Sequence, residues 1–286
     1  MIETAIERVR TQAGGAVRGL LAGSRERPEV PAVREDHGLF GPDSAVWAVH
    51  SDLAMLVGGV RALLLQTLHP LAMAGVADHS SYKDDPLGRL HRTGAFVGAT
   101  TFGTVREAEE AIAGVRAVHR HVMGTAPDGR RYSAGDPRLL LWVHATEVDS
   151  FLRAHDRYGA SPLVPVRRDQ YVEEMAEVAT RLGAQEVPRS TAELRDALRS
   201  FRGETTAGSQ AREAVRFLVV PPVPIVARAP YGVVLSAAVT LLPRWARREL
   251  RLPVVPGSEL LAVRPATQVL LRGLGWALGP HPQAVA

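Results

Sequence analysis

The stretch Thr104–Gly124 reads TVREAEEAIAGVRAVHRHVMG, and it decides the fold class. Ala108, Ile112, Val115, His119 and Val122 recur at steps of three and four, the spacing of one helical face. Thr104, with Glu107 three residues on, forms a capping box that opens the helix. The helix runs to Val122 and Gly124 stops it. His119 therefore lies on the apolar stripe, while His121 points roughly 200° away. A second stretch repeats the pattern. Asp136-Pro137 opens a helix through Phe151, with Leu140, Leu141, His144, Val148 and Phe151 on one face. His144 faces inward there, and Glu147 falls at the edge of the face, where it reads as solvated.

Working outward, Pro42 suits the first turn of a helix, and Ser51 or Asp52 caps the next one. That helix carries Leu53, Leu56, Val57, Val60, Leu63, Leu64 and Leu68 as a wide stripe, with His69 directly before Pro70, which kinks or ends it. A helix from Pro86 to about Thr100 places Leu87, Leu90, Thr93, Gly94 and Val97 on related faces. Asp128-Gly129 marks a turn. Further helices are expected over Arg168–Leu182 and Thr191–Phe201, the latter capped by Ser190 or Thr191. Pro221–Pro230 reads as a connector before helices at Val233–Leu242 and Leu260–Leu274. Residues 1–22 can form an amphipathic helix, followed by a polar linker to Asp36. With no sustained strand alternation and no repeat, the class is all-α. The expected layout is an N-terminal helix and linker over 1–36, then one large helical domain over 37–286 with a buried cofactor pocket.

Composition narrows the chemistry. The chain has 286 residues, 46% of them hydrophobic, and can bury a sizeable core. It has no cysteine, which removes disulfides, iron–sulfur clusters, thiolate-ligated haem and cysteine nucleophiles together. Any metal must be held by His, Asp, Glu or Tyr. Net charge is +4, and every basic residue except Lys83 is arginine, with the excess concentrated in residues 212–272. Scattered arginines with few aromatics between them are a poor nucleic-acid footprint, so no nucleic-acid partner is expected. Leu53–Val76 is apolar, but Arg61, Gln66, His69 and Pro70 interrupt it, so it reads as core. Ile225–Leu242 could lie on a membrane surface, a weak association at most. The start, Met1 to Glu7, lacks a signal-peptide pattern, and a cytoplasmic protein is expected.

His69, His119 and His144 occupy apolar surroundings, with His79 close by in a loop. A single buried histidine is ordinarily a hydrogen-bonded core residue. Three in one core point further, because neutral imidazole is the commonest metal ligand and one axial histidine holds haem. Arg89, Arg92 and Thr93 lie within one turn of each other. They offer donors to an anion such as a haem propionate, or form a solvated helix face. No H-E-x-x-H, P-loop, G-x-S-x-G or G-x-G-x-x-G is present. These residues fit a haem protein, a non-haem metalloenzyme using His69, His79, His119 and His144, or a haem- or lipid-binding protein without turnover.

Several stretches, in order, resemble the catalytic domain shared by latex-clearing proteins (rubber oxygenases) and MpaB-type oxygenases. They are Leu39-Phe40-Gly41-Pro42-Asp43-Ser44, Leu65-Gln66-Thr67-Leu68-His69-Pro70 and Gly75-Val76-Ala77-Asp78-His79-Ser80. Asp85-Pro86-Leu87-Gly88-Arg89-Leu90, Arg92-Thr93, Phe102-Gly103-Thr104 and Val115-Arg116-Ala117-Val118-His119 follow. Tyr132-Ser133-Ala134-Gly135-Asp136-Pro137 and Leu140-Leu141-Trp142-Val143-His144 complete the set, over roughly residues 38–250. The resemblance implies b-type haem (iron) in an all-α core, with His119 of an Arg-x-x-His motif as axial ligand and Arg116 beside it. It implies Arg89, Arg92 and Thr93 on the distal side, dioxygen and a small apolar substrate, and a reductant that the sequence leaves unidentified. In one respect the chain departs: rubber oxygenases carry a distal lysine where Arg92 stands. Guanidinium stays protonated and has no lone pair for iron.

Overall fold

Prolines and short polar side chains set the helix starts. Pro70, Pro86, Pro137 and Pro165 each occupy a first turn, where the missing N–H goes unused. The side chains of His69, Asp85 and Asp136 accept the free backbone N–H groups beside three of them. The computed structural model describes residues 38–279. The expected helix over 1–22 and the linker to Asp36 lie outside the described residues.

Helices α1 (Ala45–His50), α2 (Met55–Gln66), α3 (Pro70–His79), α4 (Pro86–Phe102) and α5 (Val105–His119) come first. A hairpin of β1 (Met123–Thr125) and β2 (Arg131–Ser133) follows. Next are α6 (Pro137–Tyr158), α7 (Pro165–Leu182), α8 (Thr191–Ser200), a 3₁₀ turn at Phe201–Gly203, and α9 (Ser209–Val219). Helices α10 (Ile225–Leu241) and α11 (Arg244–Glu249) lead through a π-turn at Glu259–Val263 to α12 (Arg264–Leu278). The fold is all-α.

Some boundaries differ from expectation for local reasons. Helix α5 ends at His119 instead of Val122, because the Asp128-Gly129 turn closes a hairpin that takes Met123–Thr125 as a strand. Pro42 sits in the turn before α1, and Ser44 is the N-cap. Helix α6 continues past Phe151 to Tyr158. Pro230 lies inside α10, not in a connector: the carbonyl that loses its donor belongs to Val226, which is exposed to water. No single described helix is long and apolar enough to cross a membrane. Helices α2 and α3 reach that length only together, bent by 104°, and Leu64, Leu65 and Met73 from the pair, with Leu68 between them, are buried in core.

Helix α6 is the axis of the molecule. Leu141 and Trp142 pack with Leu64, Leu68 and Phe201, while Val148, Phe151 and Leu152 pack with Trp47, Tyr171 and Met175. Helix α2 runs along α6, α10 lies on α2, and α7 covers α1 and α6. Across the α2–α6 seam lies a buried charge. Arg61, 1% exposed, donates to Asp149 Oδ2 at 2.7 Å, Ser150 Oγ at 2.6 Å and the Leu241 carbonyl at 3.0 Å. Three helices are thereby tied at one guanidinium. Asp149→Ala leaves that cation buried without its counter-charge and should destabilise by about 3–5 kcal/mol. Urea unfolding measures the loss, and a loss below about 1 kcal/mol, the range of exposed pairs, would show the bridge is idle.

Candidate functional site

Helices α4 and α5 form an antiparallel pair joined through Gly103 and Thr104, and their facing stripes enclose a groove of about 470 Å³. Arg92, Ala95, Phe96 and Ala99 line it from α4; Ala111, Gly114, Val115, Val118 and His119 line it from α5. Both sets fall at helical steps of three and four, so each is one face of its helix. Most of these side chains are small and apolar. A Cβ added at Gly94, Gly98 or Gly114 would meet no atom within 4 Å. Along α4 the only fully buried side chains described are Thr100 and Thr101, and Val118 on α5 is 61% exposed. The groove is thus an open, apolar slot and not a closed chamber as the sequence suggested. An exposed apolar cleft of this kind is a candidate ligand site.

His119 is half-buried at the groove, and neither ring nitrogen has a hydrogen-bond partner among the described residues. Burial lowers its pKa, so near neutral pH it presents a neutral imidazole with a free lone pair. Arg92 is on the opposite wall, its Nη1 held 3.3 Å from Asp85 Oδ2. His121 is exposed in the turn after α5.

The other residues singled out in the sequence have separate surroundings. Arg89 donates to Ser80 Oγ at 3.0 Å beneath the α3–α4 connection, and burial lowers its pKa. Thr93 donates to the Arg89 carbonyl at 3.1 Å. Arg116 is exposed, its Nη1 3.5 Å from the Arg181 carbonyl. His69 caps α3: its Nδ1 accepts from Ala72 N–H, which leaves Nε2 to face Glu204 at 3.5 Å. His79 Nε2 lies 3.2 Å from both the Met123 carbonyl and the Tyr132 hydroxyl, and that hydroxyl donates to Asp78 at 2.5 Å. His79 therefore fastens the hairpin to α3. Among the described residues no three His, Asp or Glu side chains converge where a metal ion could be held.

A buried polar cluster lies under α4. His50 bridges Thr101 Oγ1 at 2.7 Å and the Tyr171 hydroxyl at 3.1 Å, and burial pushes its pKa down to about 3. His144 is buried with Nε2 unpartnered and its pKa pushed down to about 4. Glu147, one turn on, corrects an expectation. It keeps some accessible surface yet lies deep, with no hydrogen bond to its carboxyl among the described residues, and desolvation raises its pKa to about 7. Burial raises the Tyr171 hydroxyl well above its usual range, and the Glu147 charge adds to that. Sequence periodicity overlooked His50 and Tyr171. The signal that could have found Glu147 is its position one turn from the inward-facing His144, on a helix buried along most of its length.

Residues 47–279 match the family described as ER-bound oxygenase mpaB/B'/rubber oxygenase, catalytic domain. The chain belongs to this family. It is also 30% identical over 106 residues to two uncharacterized proteins, Rv2237 of Mycobacterium tuberculosis and Mb2261 of Mycobacterium bovis. That match covers 37% of this chain and 41% of each relative, so the chain spans about two-fifths of their length. No solved structure matches. For a member of an oxygenase family the fit of haem can be judged on this chain's own donors. A single neutral imidazole without a partner faces a slot walled by alanine, glycine and valine, with a guanidinium opposite. These residues fit an iron porphyrin.

The pKa shifts carry a stability consequence. Glu147 has a folded pKa above its ordinary value of 4.5. Its contribution is fully present below about 4.5, is lost as pH rises to about 7, and stays lost above that. His144 and His50 act oppositely, since their stabilisation is present above about 6.5 and fades as pH falls toward 4 and 3. Glu147→Gln removes only the first effect. The Tm of the variant should gain on the wild type steadily between pH 4.5 and 7, and a difference constant across that range would contradict a desolvated carboxyl.

Proposed function

We propose that the protein is a haem-b-dependent oxygenase whose haem would be held in the groove between α4 and α5 by His119. It would act on a small apolar molecule with dioxygen and electrons from an external reductant. The observation that carries this reading is the pairing, in one open apolar slot, of an unpartnered neutral His119 with Arg92 on the facing wall.

Each residue has a role that follows from its place. His119 offers a lone pair from the last residue of α5, where it lines the slot. Arg92 donates hydrogen bonds from the opposite wall and cannot itself ligate iron. Arg89 and Thr93, bonded to one another's turn of α4, hold the register of that wall and act as positioning residues. Arg116, exposed one turn before His119 and held only by a long 3.5 Å bond to the Arg181 carbonyl, could turn to meet a carboxylate at the groove edge. Phe96, Val115 and Val118 keep water from the slot once it is filled. When bound, haem supplies the dioxygen chemistry, while the protein contributes ligation, dryness and donors. His69 and His79 are taken up by structural hydrogen bonds and have no part in this assignment.

Two sets of variants test it without an activity assay. His119→Ala should lose most of its haem, whereas exposed His121→Ala should retain it, with haem content read from absorbance after expression with added haem. Equal retention would remove His119 from the axial role. Gly114→Leu places a side chain in open space within the groove and favours the helix by roughly 1 kcal/mol. Haem content should fall sharply while the Tm of the apoprotein holds or rises. Full haem content in that variant would place the haem elsewhere.

A further inference from the structure

Four arginines lie along one groove near the C-terminal end of the described chain. Arg244, Arg247 and Arg248 come from α11, and Arg251 follows with a left-handed backbone, φ 54°. Together with Leu252, Pro253, Val254 and Pro256 they line about 630 Å³. The platform is firm, because Ala246 and Leu250 from the same turns are buried in the core. Several arginines elsewhere are answered by acids, among them Arg138 by Glu204, Arg153 by Asp149, Arg168 by Asp156 and Arg181 by Glu109. Here none of the four guanidiniums has an ion pair or side-chain hydrogen bond among the described residues. Glu249, the one acid between residues 244 and 257, is exposed and bonded to none of them.

The rim of this groove is apolar. Val255 stands between two of its lining residues and is 71% exposed. Leu261 is 84% exposed and packs near Gly257, directly after Pro256. Clustered guanidiniums repel one another and are relieved by phosphate, which matches their fork of donors. A small anion would satisfy the cations and leave the apolar rim in water. Nucleic acid would want aromatic faces for stacking, and Trp245, the aromatic of α11, is covered by the Arg202 guanidinium at 3.6 Å. An anionic bilayer answers both features, offering phosphates to the arginines and an apolar layer just beneath. We propose that this face docks the protein on an anionic lipid bilayer, with lipid phosphates in the groove and Val255 and Leu261 entering the headgroup layer. Nothing in this depends on the haem assignment.

Vesicle co-sedimentation of the full chain tests it. Binding is expected to phosphatidylcholine vesicles containing phosphatidylglycerol, not to phosphatidylcholine alone, and to weaken as salt rises. Each arginine contributes about a fivefold change in partitioning at a charged surface. Arg247→Gln with Arg248→Gln should therefore reduce binding by more than tenfold. Leu261→Ser, at an exposed site with little bearing on folding, should reduce it severalfold and leave the far-UV circular dichroism unchanged. The proposal is overturned by equal binding to neutral vesicles, by no vesicle binding, or by full binding in both variants. Thermal protection by inorganic phosphate, or capture of single-stranded DNA, without vesicle binding would also overturn it, marking a phosphate groove with another occupant.

Discussion

The buried guanidinium of Arg61 is the constraint on which the arrangement of the helices depends. A cation at 1% exposure is tolerated only where its donors are answered, and here Asp149, Ser150 and the Leu241 carbonyl answer them. Those partners lie on α6 and at the end of α10, so one side chain sets the register of α2 against both. Helix α6, once fixed, presents Trp142 and Leu141 to one core and Phe151 and Val148 to another. It also fixes His144 and Glu147 at depth. Hydrophobic area alone would allow these helices to slide, whereas a fork of three hydrogen bonds does not.

The α4–α5 pair lies outside this rigid seam. Its contacts with the body run chiefly through α1 and α7, and much of its apolar surface is left uncovered. Such surface is expensive to leave in water, which is why the groove between the two helices is the natural place for a flat apolar ligand. His119 is suited to meet it because it is sheltered enough to stay neutral and no described residue hydrogen-bonds its ring. The α2–α6 seam thus holds the shape, while the α4–α5 pair leaves an apolar surface open.

Much of this was legible in the sequence. The stripe Ala108, Ile112, Val115 and His119 identified α5 and the side on which His119 lies, and the capping box marked its start. Fold class and family followed from elements of this kind. Other features were hidden for physical reasons. A helical period gives an angle and not a depth, so Glu147 read as solvated although the packing around α6 encloses it. Local turn chemistry at Asp128-Gly129 outcompeted the last turn of α5. His69 and His144 look alike on a helical wheel. In the fold, His69 caps a helix while His144 keeps a buried ring nitrogen without a partner among the described residues.

The central claim is that the slot walled by α4 and α5 is built for haem. The most direct measurement is the absorption spectrum of the protein purified after expression with ample haem, with haem quantified per chain by acid–acetone extraction. The account predicts a Soret band and about one extractable b-type haem per chain, released without covalent attachment because there is no cysteine to form a thioether. A folded protein with no Soret band under those conditions would contradict it.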